Sequence, residues 1–341
     1  MKKNVFFLVL FSALFFGAIA QEQDSKTLHE TAKNFLRKGD YSNAILILNR
    51  TLQKDPVNLE MLKDLAFAYY LNKDYVRALE TAKPFSERKD ADIQAYQILA
   101  LIYKSLEQRK ECENLYKASL KKYPSSGVLY NEYGEMLWSK KEFALAAKLW
   151  EKGIEMDPNN SGNYYNAAKF YYFSADKTWG LIYGEIFVNL ESFSDRTTEI
   201  KGLLLEGYKK LFTGTDQLKF QNTKNEFVNA FLGLMQKQGG AVSAGVTPES
   251  LTTLRARFIL DWYAKYATRF PYKLFEHHNQ LIKLGFFDAY NQWLFGAAAN
   301  STAYQQWTVE HAEANNEFTR LQKNRVFKLP AGQYYQTRMK L

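Results

Sequence analysis

Apolar residues recur along the chain in pairs of helix-like stretches, with a period of 34 residues. From Ser25 onward, each block of 34 holds two stretches in which apolar side chains return every three or four positions. A short polar turn separates the two stretches, for example "RKGDY" in the first block. Pro56, Pro124 and Pro158 lie at block ends, two periods and one period apart, where proline helps to stop a helix. The pattern predicts a series of helical hairpins.

Small residues occupy one place on each predicted helix. They recur at steps of 34 as Ala32, Ala66, Ala100, Gly134 and Ala168 on the first helices, and as Ala44, Ala78, Cys112, Ala146 and Gly180 on the second. Small side chains allow close helix packing, and large ones a turn away fill the groove beside them. This order of small, aromatic and terminal proline positions resembles the tetratricopeptide repeat over residues 25–158. The resemblance implies a right-handed α-solenoid.

The fifth block, residues 161–194, follows the pattern only in its first half. Its second half, "WGLIYGEIFVNL", is apolar around most of its circumference, which is typical of a helix buried on all sides. We therefore predict an all-α protein. Residues 21–194 form an α-solenoid of about five tetratricopeptide hairpins, and residues 195–341 form a non-repetitive helical C-terminal domain with a basic tail.

Within the C-terminal domain, amphipathic spacing predicts several helices. One begins at Pro248 with Thr247 as its N-cap. Others are predicted over Tyr272–Leu284, Phe286–Ala298 and Thr302–Lys323. Beyond the last of these we expect a short tail.

The first twenty residues have the features of an export signal. Two lysines precede an apolar run that starts at Val5, and Ala18 and Ala20 are the small residues that export peptidases accept before a cleavage site. We predict a signal peptide over residues 1–20, cleaved after Ala20, and a mature protein in the periplasm or envelope of a bacterium. The apolar run is slightly shorter than a typical bilayer span, so an uncleaved membrane anchor is the alternative.

The net charge of +9 resides mainly in the second part of the chain. Residues 21–194 carry equal numbers of basic and acidic side chains, whereas residues 195–341 carry a basic excess of seven. The last basic residues, which follow the last acidic one, are Arg320, Lys323, Arg325, Lys328, Arg338 and Lys340. This pattern fits a solvated helix face with a loose tail, or contact with an acidic protein or anionic lipid. Nucleic acid is not an expected partner, because no recognition motif is present.

The sequence contains none of the common catalytic or cofactor motifs, such as GxSxG, GxxxxGK, HExxH or CxxC. His277 and His278 are adjacent and would project about 100° apart on a helix, so we assign them to surface or packing and not to a metal site. Cys112 stands where other repeats have alanine, which predicts an inert buried thiol. We therefore expect no catalytic residues, no cofactor and no metal.

The resemblance implies that the first helices line a concave surface that binds a peptide or protein partner. Projection of the repeats places eight candidate partner-binding residues there: Phe67, Tyr70, Asn131, Trp138, Tyr165, Lys169, Tyr172 and Phe173. We expect Tyr165 and Tyr172 to form one patch with Trp138. The alternative is that some of them only seal contacts within a hairpin.

The leading hypothesis is a non-catalytic scaffold or adaptor that holds a protein partner on the repeats, while the basic C-terminal domain docks elsewhere. The alternative is an enzyme or small-ligand binder whose site lies in the cleft between the solenoid and the C-terminal domain.

Overall fold

The computed structural model describes residues 25–174, 176–213 and 224–336. These residues form helices and connecting turns and contain no β-strand, which confirms the all-α fold class. The predicted signal peptide, Arg338 and Lys340 lie outside the described residues.

The chain divides into two compact units, one ending at Pro124 and the other beginning at Ser125. The first unit contains the helices α1 (residues 25–37), α2 (Tyr41–Leu52), α3 (Leu59–Leu71), α4 (Tyr75–Ser86), α5 (Ile93–Ser105) and α6 (Arg109–Lys122). The second unit begins with α7 (Gly127–Ser139), α8 (Phe143–Met156), α9 (Ser161–Phe173), α10 (Thr178–Leu190) and α11 (Asp195–Thr213). It continues with α12 (Glu226–Lys237), α13 (Pro248–Lys265), α14 (Lys273–Lys283), α15 (Phe287–Asn291), α16 (Ala297–Ala299), α17 (Ser301–Glu310) and α18 (Ala312–Asn324).

The predicted small positions lie where paired helices touch. In the first unit, α3 packs against α2 and α4, and α5 packs against α4 and α6. Ala66, Ala78 and Ala100 are fully buried at these contacts. The thiol of Cys112 is buried and lies 3.8 Å from the carbonyl oxygen of Ala100, so a small side chain is needed there. This confirms the assignment of Cys112 to packing.

Each turn within the first four hairpins places one residue in the left-handed backbone region. These residues are Gly39, Lys73, Glu107 and Lys141, with φ between 55° and 77°. They are spaced 34 residues apart, so the repeat extends to individual backbone torsions. A side chain makes this conformation cost about 1–2 kcal/mol, and only the first hairpin uses glycine. The turn geometry therefore overrides local preference in the other three.

A second repeated feature is the cap before each first helix. Asn58, Asp92, Ser126 and Asn160 each accept a hydrogen bond from the backbone N–H three residues later, at 3.1, 2.9, 3.4 and 3.3 Å respectively. Such caps satisfy an amide that has no partner within the helix. The residues again recur every 34 positions, which fixes where each hairpin begins.

Helix α10 is buried on almost every side, as its composition predicts. Eleven of its thirteen residues are buried, because α9 packs on one side and α11 on the other. A Cβ atom on Gly180 would lie 3.0 Å from the backbone nitrogen of Tyr172, and one on Gly184 would lie 3.0 Å from the side chain of Leu204. Both glycines thus allow the close helix contacts predicted from the sequence.

Helix α11 contacts α9 and α10, just as α9 contacts α7 and α8. Its Gly202 stands 34 residues after Ala168, so the small position recurs once more. The sequence predicts that α11 belongs to a non-repetitive domain, and the division at residue 194 stays a prediction. In the structure this position lies inside the second unit, and α11 packs as the next first helix of the array would.

The later helices differ in two places from the expectation. Gln292–Gly296 is a π-helical turn between α15 and α16, so the predicted helix over 286–298 is interrupted. The single helix predicted over 302–323 is two helices, α17 and α18, which meet at His311. Helix α13 begins at Pro248 with Thr247 as its N-cap, as predicted. Thr247 and Ser250 bond each other reciprocally in a capping box.

Residues 325–336 are an extended segment that we call the C-terminal strap. Its buried Phe327 and Leu329 alternate with the exposed Val326, Lys328 and Pro330, as in a strand with one face against the protein. The expectation of a short, loose tail beyond Lys323 is therefore wrong for these residues. The charge pattern could not show that the two apolar side chains dock in a groove.

Candidate functional site

Two of the aromatic residues predicted on the concave surface pack within their own hairpins. The Tyr70 ring lies 5.8 Å from that of Tyr75, and the Trp138 ring lies 4.5 Å from that of Phe143. The two pairs are separated by two repeat periods. Trp138 also contacts Trp150, with ring centroids 5.6 Å apart. These contacts match the alternative in which such aromatics seal a hairpin, although Trp138 remains 38% exposed.

Phe67 and Asn131 also have partners close by. The Phe67 ring stacks on Tyr70 at 6.0 Å. The Asn131 amide donates to Glu135 at 3.0 Å, and its oxygen accepts from Asn166 on the next first helix at 2.9 Å. On the same helix as Phe67, Lys63 is buried and pairs with Asp92 at 2.6 Å. The N-terminal part of the predicted surface is therefore largely self-paired.

Tyr165 and Lys169 on α9 are linked to α11 through one carboxylate. The Tyr165 hydroxyl donates to Glu199 at 2.5 Å, and the Lys169 ammonium lies 2.7 Å from the same side chain. The Arg196 guanidinium lies 4.9 Å from the Tyr165 ring centroid. These side chains join neighbouring first helices, so a partner would have to compete with α11 for them.

Tyr172 and Phe173, at the end of α9, have a different environment. The Lys210 ammonium lies 2.9 Å from the Tyr172 hydroxyl and 4.1 Å from its ring centroid. The Lys177 ammonium donates to the carbonyl of Tyr172 at 2.8 Å. Phe173 is 72% exposed. Within the described residues, neither lysine has an acidic side chain at ion-pair distance. We call Tyr172, Phe173, Lys177 and Lys210 the lysine–aromatic patch.

The structure therefore divides the predicted aromatic patch. The rings of Tyr165 and Phe187 are 5.2 Å apart, those of Tyr172 and Phe173 are 5.0 Å apart, and Trp138 contacts its own hairpin. Lys177 and Lys210 were missed because they lie outside the first helices of the repeat. The basic excess of residues 195–341 was a weak signal for Lys210, and Lys177 had no such signal because residues 21–194 have no net charge.

A cluster of buried ionisable side chains lies among α10, α13, α14 and α15. Glu185 forms an ion pair with Arg255, and His278 Nε2 lies 2.8 Å from its carboxylate. The Tyr290 hydroxyl donates to the same carboxylate at 2.8 Å, and Arg255 also donates to Asn291. We call Glu185, Arg255, His278 and Tyr290 the buried ionic cluster. Arg255 and Glu185 are both nearly inaccessible to water.

Electrostatics keep the cluster charged. Burial opposes ionisation of Glu185, but the charge of Arg255 and the hydrogen bonds from His278 and Tyr290 outweigh it and lower the pKa of Glu185 to about 2. Because this pKa lies below the ordinary value, the stabilisation is present above about pH 4.5 and is lost as the pH falls toward 2. Burial lowers the pKa of His278, so this imidazole is neutral in the folded protein.

His277 faces away from the carboxylate and joins the cluster to the strap. The Arg325 guanidinium contacts the His277 ring and donates to Asn189 at 2.7 Å. Asn189 in turn donates to the Tyr290 hydroxyl at 2.8 Å. Arg325 therefore belongs to a buried network, although its place in the basic tail suggested solvent exposure. The packing role expected for both histidines agrees with these contacts.

A cleft of about 500 Å³ lies within the second unit, between the start of α13, the π-helical turn and α17. Trp307 and Tyr304 form part of its wall, and Glu249 accepts from the buried Gln292 amide at 2.7 Å. A Cβ on Gly296 would lie 2.4 Å from the Tyr304 ring, so this glycine allows α17 to approach the π-turn. No residue of α1 to α10 lines the cleft.

Among the described residues, no three histidine, cysteine, aspartate or glutamate side chains converge as a metal site would require. Of the helices in the described ranges, none combines the length and apolar character needed to cross a bilayer.

A family model described as "Anaphase-promoting complex, cyclosome, subunit 3" matches residues 37–119, inside the first unit. Helical hairpins with a 34-residue period, recurring caps and buried small residues occupy the same stretch and continue beyond it. The hairpins of residues 25–158 have the pattern of tetratricopeptide repeats, which agrees with the resemblance predicted from the sequence. Such repeats generally mediate protein–protein interactions.

Several solved structures are similar to this chain. A tetratricopeptide repeat protein from Parabacteroides merdae ATCC 43184 is 16% identical, with 89% of this chain and 100% of that chain covered and a TM-score of 0.41. A thermophilic TPR protein of Thermus thermophilus is 16% identical, with coverages of 53% and 99% and a TM-score of 0.43. MamA is 20% identical, with coverages of 49% and 92% and a TM-score of 0.40. No curated protein matches.

Proposed function

We propose that this tetratricopeptide repeat protein is a non-catalytic scaffold whose partner docks on the lysine–aromatic patch. One observation carries the proposal: an exposed phenylalanine lies beside two lysines that, within the described residues, have no acidic side chain at ion-pair distance. Phe173 offers an apolar anchor, and Lys177 and Lys210 offer positive charge beside it. The patch therefore fits a partner segment in which carboxylates flank an apolar side chain.

The alternatives within the predicted site are less favourable. Tyr165 and Lys169 already satisfy Glu199, and a partner would gain little by replacing that bond with an equivalent one. Phe67, Tyr70, Asn131 and Trp138 have intramolecular contacts as well. Their role in partner binding stays a prediction.

We expect Phe173→Ala to weaken partner binding by about 2 kcal/mol, or roughly 30-fold. The substitution removes the aromatic side chain that the partner would bury in the complex. Lys210→Gln should weaken binding and reduce its dependence on salt. The partner can first be trapped with a photo-crosslinking amino acid at position 173 in the native host. Affinities of the variants for that partner can then be compared by titration.

Lys323→Gln is the matched control for charge, because Lys323 is also basic and exposed but lies on α18. It should bind as the native protein does. Normal binding by both patch variants together with weak binding by the control would move the docking site to the C-terminal helices. Trp138→Ala should be tested beside them, because a loss confined to Trp138 would favour the concave surface expected from the sequence.

We further propose that the protein is exported, with residues 1–20 removed after Ala20. The lysines, the apolar run and the small residues of the leader support this proposal. N-terminal sequencing of the protein from its host should return Gln21 as the first residue. Recovery of Met1 in a membrane fraction would instead support the uncleaved anchor, and recovery of Met1 in the cytoplasm would refute export.

A second candidate function is small-ligand binding. The cleft beside Trp307 favours it, because its volume suits a ligand of moderate size and its wall combines aromatic and polar side chains. A ligand there would lie among α11, α13 and α17, and not between the repeats and the C-terminal helices as the alternative hypothesis had it. A small molecule that quenches Trp307 fluorescence and raises the melting temperature would favour this function.

A further inference from the structure

The last residues of the C-terminal strap contact a buried carboxylate. Glu151 on α8 is 5% exposed. It accepts from the hydroxyls of Tyr183 and Tyr334, both at 2.8 Å, and Tyr171 is a third phenolic partner. The Gln336 amide lies 3.4 Å from its other oxygen. Two of these four partners, Tyr334 and Gln336, belong to the strap.

The groups that face Glu151 are neutral. They come from every element around it and are Tyr164 and Tyr171 of α9, Tyr183 of α10, Tyr272 before α14, and Tyr334 and Gln336 of the strap. Within the described residues, no lysine, arginine or histidine contacts this carboxylate. Burial therefore raises the pKa of Glu151 to about 6, because hydrogen bonds from the phenols and the amide offset only part of the desolvation cost.

The rest of the strap is held by contacts that do not depend on Glu151. The side-chain amide of Asn159 accepts from the backbone N–H of Leu329 at 2.8 Å and donates to its carbonyl at 3.0 Å. Asn225 donates to the carbonyl of Tyr335 at 2.7 Å. The Tyr335 ring stacks on Phe227 with centroids 4.8 Å apart. The strap thus lies in its groove much as a bound peptide would.

We infer that the C-terminal strap is a pH-dependent latch, which closes over Glu151 when that side chain is protonated and opens more readily when it is ionised. With the strap closed, the carboxylate lies among neutral groups and away from water. With the strap open, it is hydrated and the charged form is no longer penalised. The charge state of one side chain therefore biases the position of the whole segment.

The direction of the pH effect follows from the linkage between proton binding by Glu151 and closure of the strap. The proton binds more tightly in the closed state, so acid favours closure and rising pH favours opening. The pKa of Glu151 rises from 4.5 to about 6 on burial, which corresponds to an increase of at most about 30-fold in the opening constant between about pH 4 and about pH 8. Opening would uncover Tyr171, Tyr183 and Glu151 on the fourth and fifth hairpins. This inference does not rest on the lysine–aromatic patch.

Hydrogen exchange of the full mature chain, followed by mass spectrometry, tests the latch. Protection factors remove the intrinsic pH dependence of exchange. For peptides covering residues 325–336, we expect the protection factors to fall by up to about 8-fold from about pH 5 to about pH 8, because a carboxyl group with a pKa of 4.5 in the open state is already partly ionised at pH 5. Peptides of α13 should keep their protection, because only the strap opens. An equal fall in α13 would show that the whole unit unfolds and would overturn the latch.

Glu151→Gln keeps an acceptor oxygen but cannot ionise, so the strap should have the same protection at both pH values. Glu155→Gln, one turn later on α8, is the matched control and should retain the full pH dependence. Tyr334→Phe removes a donor to the charged form and so raises the pKa of the buried Glu151 further, which should enlarge the fall in protection between the two pH values. A pH dependence that persists in Glu151→Gln would overturn the proposal.

Discussion

Replacing Arg255 by methionine should lower the free energy of unfolding of the second unit by about 3–5 kcal/mol, because the substitution leaves Glu185 buried without its main cation. Arg255 is 2% exposed and also bonds Asn291, so no water can readily take its place. Methionine replaces the aliphatic stem of arginine and adds no polar group. Urea unfolding followed by the fluorescence of the buried Trp179 and Trp262 should report the loss.

A paired substitution separates the charge from the packing. Adding Glu185→Leu to Arg255→Met removes both charges and should recover part of the lost stability, since a buried ion pair replaced by apolar groups is often nearly neutral. Arg257→Met, on the exposed face of α13, should change the free energy by less than about 0.5 kcal/mol. A normal stability for Arg255→Met would mean that Glu185 and His278 are stable without this cation.

The repeats could be predicted from sequence because their packing depends on local and periodic features. Ala66 and Ala100 are buried at equivalent helix contacts, and their spacing alone identifies them. The caps at Asn58 and Asp92 and the left-handed residues Lys73 and Glu107 follow the same period. The left-handed conformation of these two residues could not be predicted locally, because lysine and glutamate give no signal for a positive φ.

The buried ionic cluster could not be predicted in this way. Its contacts join Glu185 to residues 70, 93 and 105 positions away, and no period relates them. The only sequence signals were the acid inside an otherwise apolar helix and the adjacent His277 and His278. Each suggested a buried polar partner without identifying it.

The C-terminal strap offered a weak signal that charge obscured. Phe327 and Leu329 are two residues apart, as expected for one face of an extended segment. The surrounding basic residues favoured a solvated tail instead. Only the fold shows that Asn159 and Asn225 supply hydrogen bonds to its backbone.

Gly134→Leu should destabilise the second unit by about 3 kcal/mol, at the upper end of the usual cost of overpacking. A Cβ atom at this position would lie 2.3 Å from Nε1 of Trp150. The indole cannot move away easily, because it is 2% exposed and donates to the carbonyl of Asn131 at 3.2 Å. Thermal unfolding followed by circular dichroism should show the lower melting temperature.

The chain supplies its own control at the equivalent place two periods later. Gly202 lies on α11, and a Cβ atom there would meet no atom within 4 Å. Gly202→Ala should therefore raise stability by up to about 1 kcal/mol through helix propensity, whereas Gly134→Ala should lower it despite the same gain in propensity. The opposite signs would separate helix contact from intrinsic preference at a single repeat position. If both alanine variants were stabilised, Trp150 would have room to move, and the small residue at this place would reflect the repeat pattern and not a steric requirement.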